Sequence, residues 1–518
     1  MLVLQYLKSF RSWLSSQFLL EKLDNPFGYT LLISLAVGIA YLIPLLGLKF
    51  SILIPVLILA IPVIGFCFFN QAIGIGVVLI VAFLIGLLSK YAELPFGISL
   101  DALLFLLFFG LLIQQVQERN MNFAKSPISV LILIWVFYNL TQVLNPWAGS
   151  RMAWLFTVRS MAGLILLYFI ACFAFKNVQI IFNTLKLILA LVFISALYGL
   201  KQEFFGFSDA ELIWLYSDPE RIQLIHQWSR LRIFSFFSDP TNFGILLSYS
   251  STFCVILMTG PFKLWKKALL GLATICMVLS MGYAGSRTPF VLVPFGIVIF
   301  TLLTLKRDII IGMVIFLMVG IGFVMKSTNS AVIYRVQSAF LLNKSDDTMN
   351  VRLENQRKIQ PFIQTHPIGG GLGSTGIWGA RFTPDSLLSS FAHDSGFVRV
   401  AVELGWIGLI IYCIFLFTVL KTSIYYYLRV KNPKIKVIYL GLTTIFFQLT
   451  LANYPQEAMT ILPTSIIFYI LLAAMVKLKD YDDVILSDDP KILNSNEIPS
   501  PSVAGIPIDS HQTTGHKY

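Results

Sequence analysis

Long apolar runs, each closed by a short polar or basic interval, repeat along almost the whole chain. They lie near 27–44, 50–69, 72–89, 98–115, 127–144, 152–174, 179–200, 240–259, 268–284, 289–305, 309–325, 406–428, 437–452 and 460–476. Runs of about 17–25 apolar residues cross a hydrocarbon core of roughly 30 Å as helices. Lipid offers the backbone no hydrogen-bond partners, and these runs lack the two-residue alternation of barrel strands. The pattern therefore predicts an all-α polytopic membrane protein of about 12–14 transmembrane helices, with fourteen runs marked out in the chain.

The intervals carry direction. Lys263, Lys266 and Lys267, then Lys306 and Arg307, then Arg429, Lys431, Lys434 and Lys436 fall on one side, with Lys8, Arg11 and Lys22 of the N-terminus. By the positive-inside rule that side is cytoplasmic. An even span count puts both termini inside and the two longest loops, about 201–239 and 326–405, outside. The expected organisation is a cytoplasmic N-terminus (1–26), N-terminal spans (27–200), an outer loop (201–239), spans (240–325), a large outer loop (326–405), C-terminal spans (406–476) and a disordered cytoplasmic tail (477–518). No short apolar region with a small-residue cleavage site follows a basic start, so no cleaved signal peptide is read.

Both long loops carry helix signals. Ser208-Asp-Ala-Glu211 and Ser217-Asp-Pro-Glu220 read as two successive capping boxes, predicting two short helices lying in the outer interface. In the second loop a polar helix runs from Asp347-Thr348 through Arg352 and Glu354 toward Pro361. The turn Gly369-Gly370-Gly371-Leu372-Gly373 follows, and His393-Asp394-Ser395 then leads into a helix read as continuous with the span near Trp406, with Asp394 or Ser395 as N-cap.

Composition narrows the function classes. Hydrophobic residues make up 57% and charged residues 12%, with a mean hydropathy of +0.79. The net charge of +12 sits in short inter-span loops without a basic, aromatic-interleaved module, so nucleic acid is not an expected partner. Cys67, Cys172, Cys254, Cys276 and Cys413 all fall inside apolar runs and read as packing residues, with no metal-ligand spacing.

Candidate chemistry lies at the outer ends of the spans. Arg287, in a short turn between two apolar runs, reads either as a cation reaching to headgroups or as an anion-binding arginine. Arg232, Arg352, Arg230 and Arg335 are each a solvated loop cation or, if they converge, grips for a diphosphate. His393 stands before a helix N-cap, whose positive end favours the neutral ring that can accept a proton; a structural histidine is the bland alternative. His366 reads as a turn residue before Pro367. The glycine run, lacking the rest of a nucleotide-binding loop, is a tight turn or a set of amides for an anion. Arg159, two turns inside its span, is a functional candidate or a structural charge held in an ion pair or by carbonyls, with no obvious acidic partner nearby in sequence.

Arg232-x-Phe-x-Phe-Phe-x-x-Pro240-x-Asn242, Gly285-Ser286-Arg287, Arg352 followed by His366-Pro367-Ile368-Gly369-Gly-Gly-Leu-Gly373, and His393-Asp394-x-x-Phe397 with Glu403-Leu404-Gly405-Trp406-Ile407-Gly408 occur in that order. Over about 190–475 this resembles the O-antigen ligase and polymerase superfamily. The resemblance implies a metal-independent, inverting membrane glycosyltransferase without a cofactor, moving glycan from an undecaprenyl diphosphate donor to an acceptor hydroxyl. It implies His393 as the base and Arg287, Arg352 and Arg232 as the cations that hold the diphosphate; Arg159, as an intramembrane arginine, is a further substrate-binding candidate, with Asp394, Gly371 and Gly373 as supporting residues. Many members have His-Asn where this chain has His393-Asp394, and the expected fourteen spans exceed the usual dozen or so. Its partners would be a lipid-linked oligosaccharide, a glycan or lipid-glycan acceptor, membrane lipids and a chain-length regulator, in the plasma (inner) membrane. A flippase or transporter is the rival reading, expected to show inverted repeats and broken helices with midplane polar groups; a scaffold of a polysaccharide assembly complex is a third.

Overall fold

A computed structural model of the chain describes residues 64–91, 96–118, 124–227, 230–325, 331–340, 347–391 and 395–482, with isolated residues between 26 and 37. The predicted span at 27–44, most of that at 50–69 and the tail beyond 482 lie outside the described residues.

The described chain is an all-α bundle. Its helices are α1 (Gln71–Tyr91), α2 (Phe96–Glu118), α3 (Pro127–Thr141), α4 (Arg151–Ala174), α5 (Val178–Phe205), the short α6 (Asp209–Tyr216) and α7 (Pro219–Ile225), then α8 (Pro240–Met258), α9 (Leu264–Ala284), α10 (Arg287–Thr304) and α11 (Arg307–Met325). There follow α12 (Ala331–Ser338), α13 (Asp347–Thr365), α14 (Gly376–Phe382), α15 (Gly396–Arg429), α16 (Pro433–Ala452) and α17 (Thr464–Leu478). Among the described residues ten helices are long and apolar enough to cross a membrane. The helices α11 and α17 occupy the two remaining predicted spans, 309–325 and 460–476.

Burial separates centre from rim. In α8 and α16, 78% and 72% of the apolar window is buried inside the protein, against 33% in α10, so the first two are central. The 15-residue α17 is shorter than a bilayer core, yet Ile466, Ile467, Ile470, Leu472 and Met475 are fully covered. The irregular backbone leading into it is acceptable because protein, not lipid, surrounds it. Gln448 of α16 donates to the Thr252 hydroxyl (3.1 Å) and the Leu292 carbonyl (2.9 Å), joining α8, α10 and α16 at their buried contact.

Hydrogen bonds identify the bundle's two ends. Tyr481 donates to the Phe175 carbonyl (2.6 Å) and Tyr427 to the Leu303 carbonyl (3.2 Å), while the Asp482 carboxylate accepts from the Lys431 and Asn432 amides. This end collects Lys176, Lys263, Lys306, Arg307, Arg429 and Lys431, and the described chain continues to Asp482, past the expected boundary at 476. The N-termini of α4, α8, α10, α15 and α17 meet at the opposite end, where both long loops are found.

Three local expectations are corrected. Ser208 does form a complete capping box with Glu211, but α7 is capped by Asp218, not Ser217: Pro219 takes the first helical position, and the Asp218 carboxylate accepts from the Glu220 amide (2.9 Å). Helix α13 passes through Pro361 and ends at Thr365. Helix α15 is not continuous with the span that follows: Gly405, at φ 71° and ψ −177°, breaks it into residues 396–404 and 406–429. A two-stranded hairpin, His226–Gln227 with Arg230–Leu231, was not foreseen and delivers the chain to Arg232.

Candidate active site

The first part of the site is the turn between α9 and α10. Gly285 takes the left-handed conformation (φ 63°) that ends α9, and Ser286 and Arg287 begin α10. Behind the turn lies Arg232, buried at 6% exposure. Its Nε donates to the Ala284 carbonyl (2.8 Å), one terminal nitrogen donates to the Leu224 carbonyl (3.2 Å), and the other donates to the Thr241 and Ser286 hydroxyls. Burial pulls its guanidinium down to about 10, against the opposing pull of Asp239. Asp239 is itself the N-cap of α8, accepting from the Thr241 and Asn242 amides (2.9 and 3.2 Å) and the Asn242 side chain (2.6 Å). The Pro240-x-Asn242 part of the motif is thus a helix-starting device.

The approach to Arg232 is held in an unusual backbone. Ser235 is left-handed at φ 54°, with the Phe234 and Ser235 amides donating to Gln202 Oε1 (3.1 and 2.7 Å) and its own hydroxyl donating to the Ser195 carbonyl (2.6 Å). The buried Lys90 donates to the Ser235 carbonyl (2.9 Å) and lies 4.2 Å from the Phe234 ring centroid. Glu211, fully buried, accepts from Gln202 and Tyr198 (2.7 and 3.1 Å). Sequence reasoning gave Lys90, Gln202 and Ser235 no role and read Glu211 only as part of a capping box; a lysine at the end of an apolar run was the available signal.

The second part is the glycine-rich turn and the broken helix. The Gly370 and Gly371 amides donate to the Val402 and Glu403 carbonyls (2.9 and 3.0 Å), and the Tyr138 hydroxyl donates to the Leu404 carbonyl (2.7 Å). The Ile407 amide donates to the Pro367 carbonyl (3.2 Å). Every one of these carbonyls or amides is released by the break at Gly405, so the turn completes the interrupted helix. A Cβ at Gly405 would collide with the Pro367 carbonyl, and one at Gly369 with the Gly405 amide. Gly371 and Gly373 are also left-handed, at φ 94° and 81°, and fit against Ala148 and against Ala153 and Thr157. The Gly370 and Gly371 amides hold a helix, which is the tight-turn alternative with a specific partner. Asn145 fixes the far side by donating to the Ile368 and Gly369 carbonyls (3.1 and 3.0 Å). His366 stacks on Phe362 at 4.0 Å beside Trp147.

A charged cluster holds the short half-helix. Arg399 donates to Glu403 Oε1 (3.3 Å) and Glu457 Oε2 (2.7 Å), and Thr375 donates to the same Glu403 oxygen. The Gly396 amide donates to the Asn453 carbonyl (3.0 Å), and Ser395, the N-cap, accepts from the Val398 amide. Arg399 and Glu457 were missed at the sequence level; Glu403 was quoted only as part of a motif.

Of the remaining candidates, Arg159 pairs through Nε with Asp101 of α2 (3.3 Å), an acid 58 positions away in the chain. Arg230 pairs with Glu203. Arg352 and Arg335 lie on α13 and α12. His393 and Asp394 lie outside the described residues; Ser395 directly follows them. Among the described residues no group of three or more His, Cys, Asp and Glu side chains has the arrangement of a metal site. The structure therefore brings Arg232 to the turn that carries Arg287, brings Gly371 to the half-helix that Ser395 caps, and sets Gly373 against α4.

Residues 272–413 match the family model described as O-antigen ligase. The matched segment runs from α9 into α15 and contains Arg287, Arg352, the glycine-rich turn and His393. No curated protein matches the chain. The O-antigen ligase domain at 272–413, set in an all-α bundle of membrane-spanning helices, supports placing this protein in the O-antigen ligase and polymerase superfamily, with a role in cell-surface glycan synthesis.

Proposed function

We propose that the protein is a glycosyltransferase that moves or polymerises glycan from an undecaprenyl diphosphate donor onto an acceptor hydroxyl at the outer membrane face. The observation that carries this reading is the family match across Arg287, Arg352 and His393, in a bundle whose two long loops share the end opposite its basic loops. By the positive-inside rule the basic end is cytoplasmic, which puts both termini inside and the site outside in a multi-pass inner-membrane protein.

In this reading His393 takes the proton of the acceptor hydroxyl. The acceptor oxygen bonds to the anomeric carbon as the bond from that carbon to the diphosphate oxygen breaks, inverting the centre. The electron pair leaves on the lipid diphosphate, whose added charge Arg287 and Arg352 hold. Arg232 supports them from behind: its hydrogen-bonded acceptors are carbonyls and hydroxyls, so its positive charge still acts on the turn. Neither a metal nor a cofactor has a step in this scheme, and a chain-length regulator would be a partner in the polymerase form.

The transporter reading is weakened by the state of the broken helix. Transporter breaks leave backbone groups for substrate or ions at mid-membrane, whereas those around Gly405 are taken by the glycine-rich turn and Tyr138. The deciding experiment is transfer from a lipid diphosphate glycan to acceptor by purified protein in detergent, with no gradient. His393→Ala is expected to lower turnover by about 10²–10⁴-fold and Arg287→Ala by about 10²-fold. Unchanged product length and amount in His393→Ala would remove the catalytic assignment.

A further inference from the structure

The ion pair of Arg159 and Asp101 sits where a membrane protein ordinarily keeps charge away. On α4 the residues Met152 and Leu155 are 49% and 50% exposed, and Arg159 continues the same helical face. On α2, Ile98, Phe105 and Phe109 are exposed on the face that carries Asp101. The Arg159 side chain is itself 44% exposed. The pair thus interrupts an exposed apolar stripe on two helices that are long and apolar enough to cross a membrane.

Arg159 lies eight residues after the start of α4, about 12 Å along the axis. Side chains on a helix lean toward its N-terminus, so the guanidinium rises toward the end that holds both long loops. Only Nε contacts Asp101; among the described residues no acceptor is recorded for the two terminal nitrogens. Phe156 packs 5.5 Å from the guanidinium carbon and stacks on Trp378 of α14 (4.6 Å), an aromatic wall at headgroup level. On the opposite, buried face of the same helix Thr157 packs beneath Gly373, so α4 carries the stripe on one side and supports the glycine-rich turn on the other.

We infer that Arg159, oriented by Asp101 and walled by Phe156 and Trp378, binds the phosphate of a membrane lipid on the lipid-facing side of α2 and α4. The two free-ended nitrogens match two phosphate oxygens, and Asp101 holds the fork in place through Nε. This does not depend on the transfer chemistry; a lipid-linked diphosphate would pass the same point on its way to the turn.

Native mass spectrometry of the full chain reads the binding directly. The probes are phosphatidylglycerol and a polyprenyl diphosphate, offered separately to wild type, Arg159→Gln and Arg159→Lys. Arg159→Gln is expected to lower occupancy by at least one of them about tenfold, with Arg159→Lys retaining part of it. Loss confined to polyprenyl diphosphate assigns the site to the donor, and loss confined to phosphatidylglycerol assigns it to a structural lipid. Binding is measured in a His393→Ala background as well, so that failure of the transferase reading leaves it legible. Unchanged occupancy for both probes in a folded Arg159→Gln protein overturns the proposal. So does a fluorophore at Leu155→Cys that brominated lipid does not quench.

Discussion

The arginines of this chain sort by the chemistry of what accepts from them. Arg230, Arg159 and Arg399 each face a carboxylate, while the buried Arg232 is bonded to carbonyls and hydroxyls. A buried cation with neutral acceptors stabilises a turn and leaves a positive field, which would suit the diphosphate proposed to bind at Arg287. Arg232→Gln is therefore expected to lower stability by about 2–3 kcal/mol, measured by denaturation in detergent, and to weaken donor binding as the Gly285–Arg287 turn loosens. Wild-type stability in that variant would show that the hydrogen bonds do not matter. The identities of Arg232 and Arg287 as a pair were legible in the sequence. Their arrangement one behind the other was not, because the acceptors on Ala284 and Ser286 stand more than fifty positions from Arg232.

At the scale of elements the governing feature is the joint between the glycine-rich turn and α15. Sequence reading took the glycines for a turn and the helix for continuous, since one glycine within an apolar helical pattern does not mark a break. The structure ties the two together: the turn's amides are needed because Gly405 frees the carbonyls. Gly405→Ala forces a Cβ against the Pro367 carbonyl in a left-handed conformation, at an expected cost of about 1–3 kcal/mol. The check is thermal unfolding in detergent beside transfer activity, and an unperturbed variant would mean the joint is dispensable. The misplaced second capping box has a similar cause, because Asp218 and Pro219 together outcompete Ser217 for the cap.

For the whole molecule, hydropathy located the helices well, since lipid tolerates few alternatives to an apolar span. It could not separate the central α8, α16 and α17 from the rim, because covered and lipid-facing positions are equally apolar. The proposed orientation predicts that reporters after Lys263 and Lys306 lie on the cytoplasmic side, and reporters in 206–239 and 366–391 on the other. Reporters from both sets appearing on one side would end the outer-face assignment.

Among the described residues the joint at Gly405 is built largely from main-chain atoms, with side-chain hydrogen bonds from Tyr138 and Asn145. Such a hinge-free frame makes few demands on residue identity beyond its glycines. Exposed side chains of α14 and of the residues after it up to 391, such as Ile377 and Leu387, can accordingly diverge without disturbing the scaffold, so if the proposed transfer is right, homologues with unlike glycans should differ most there and least at 369, 371 and 405.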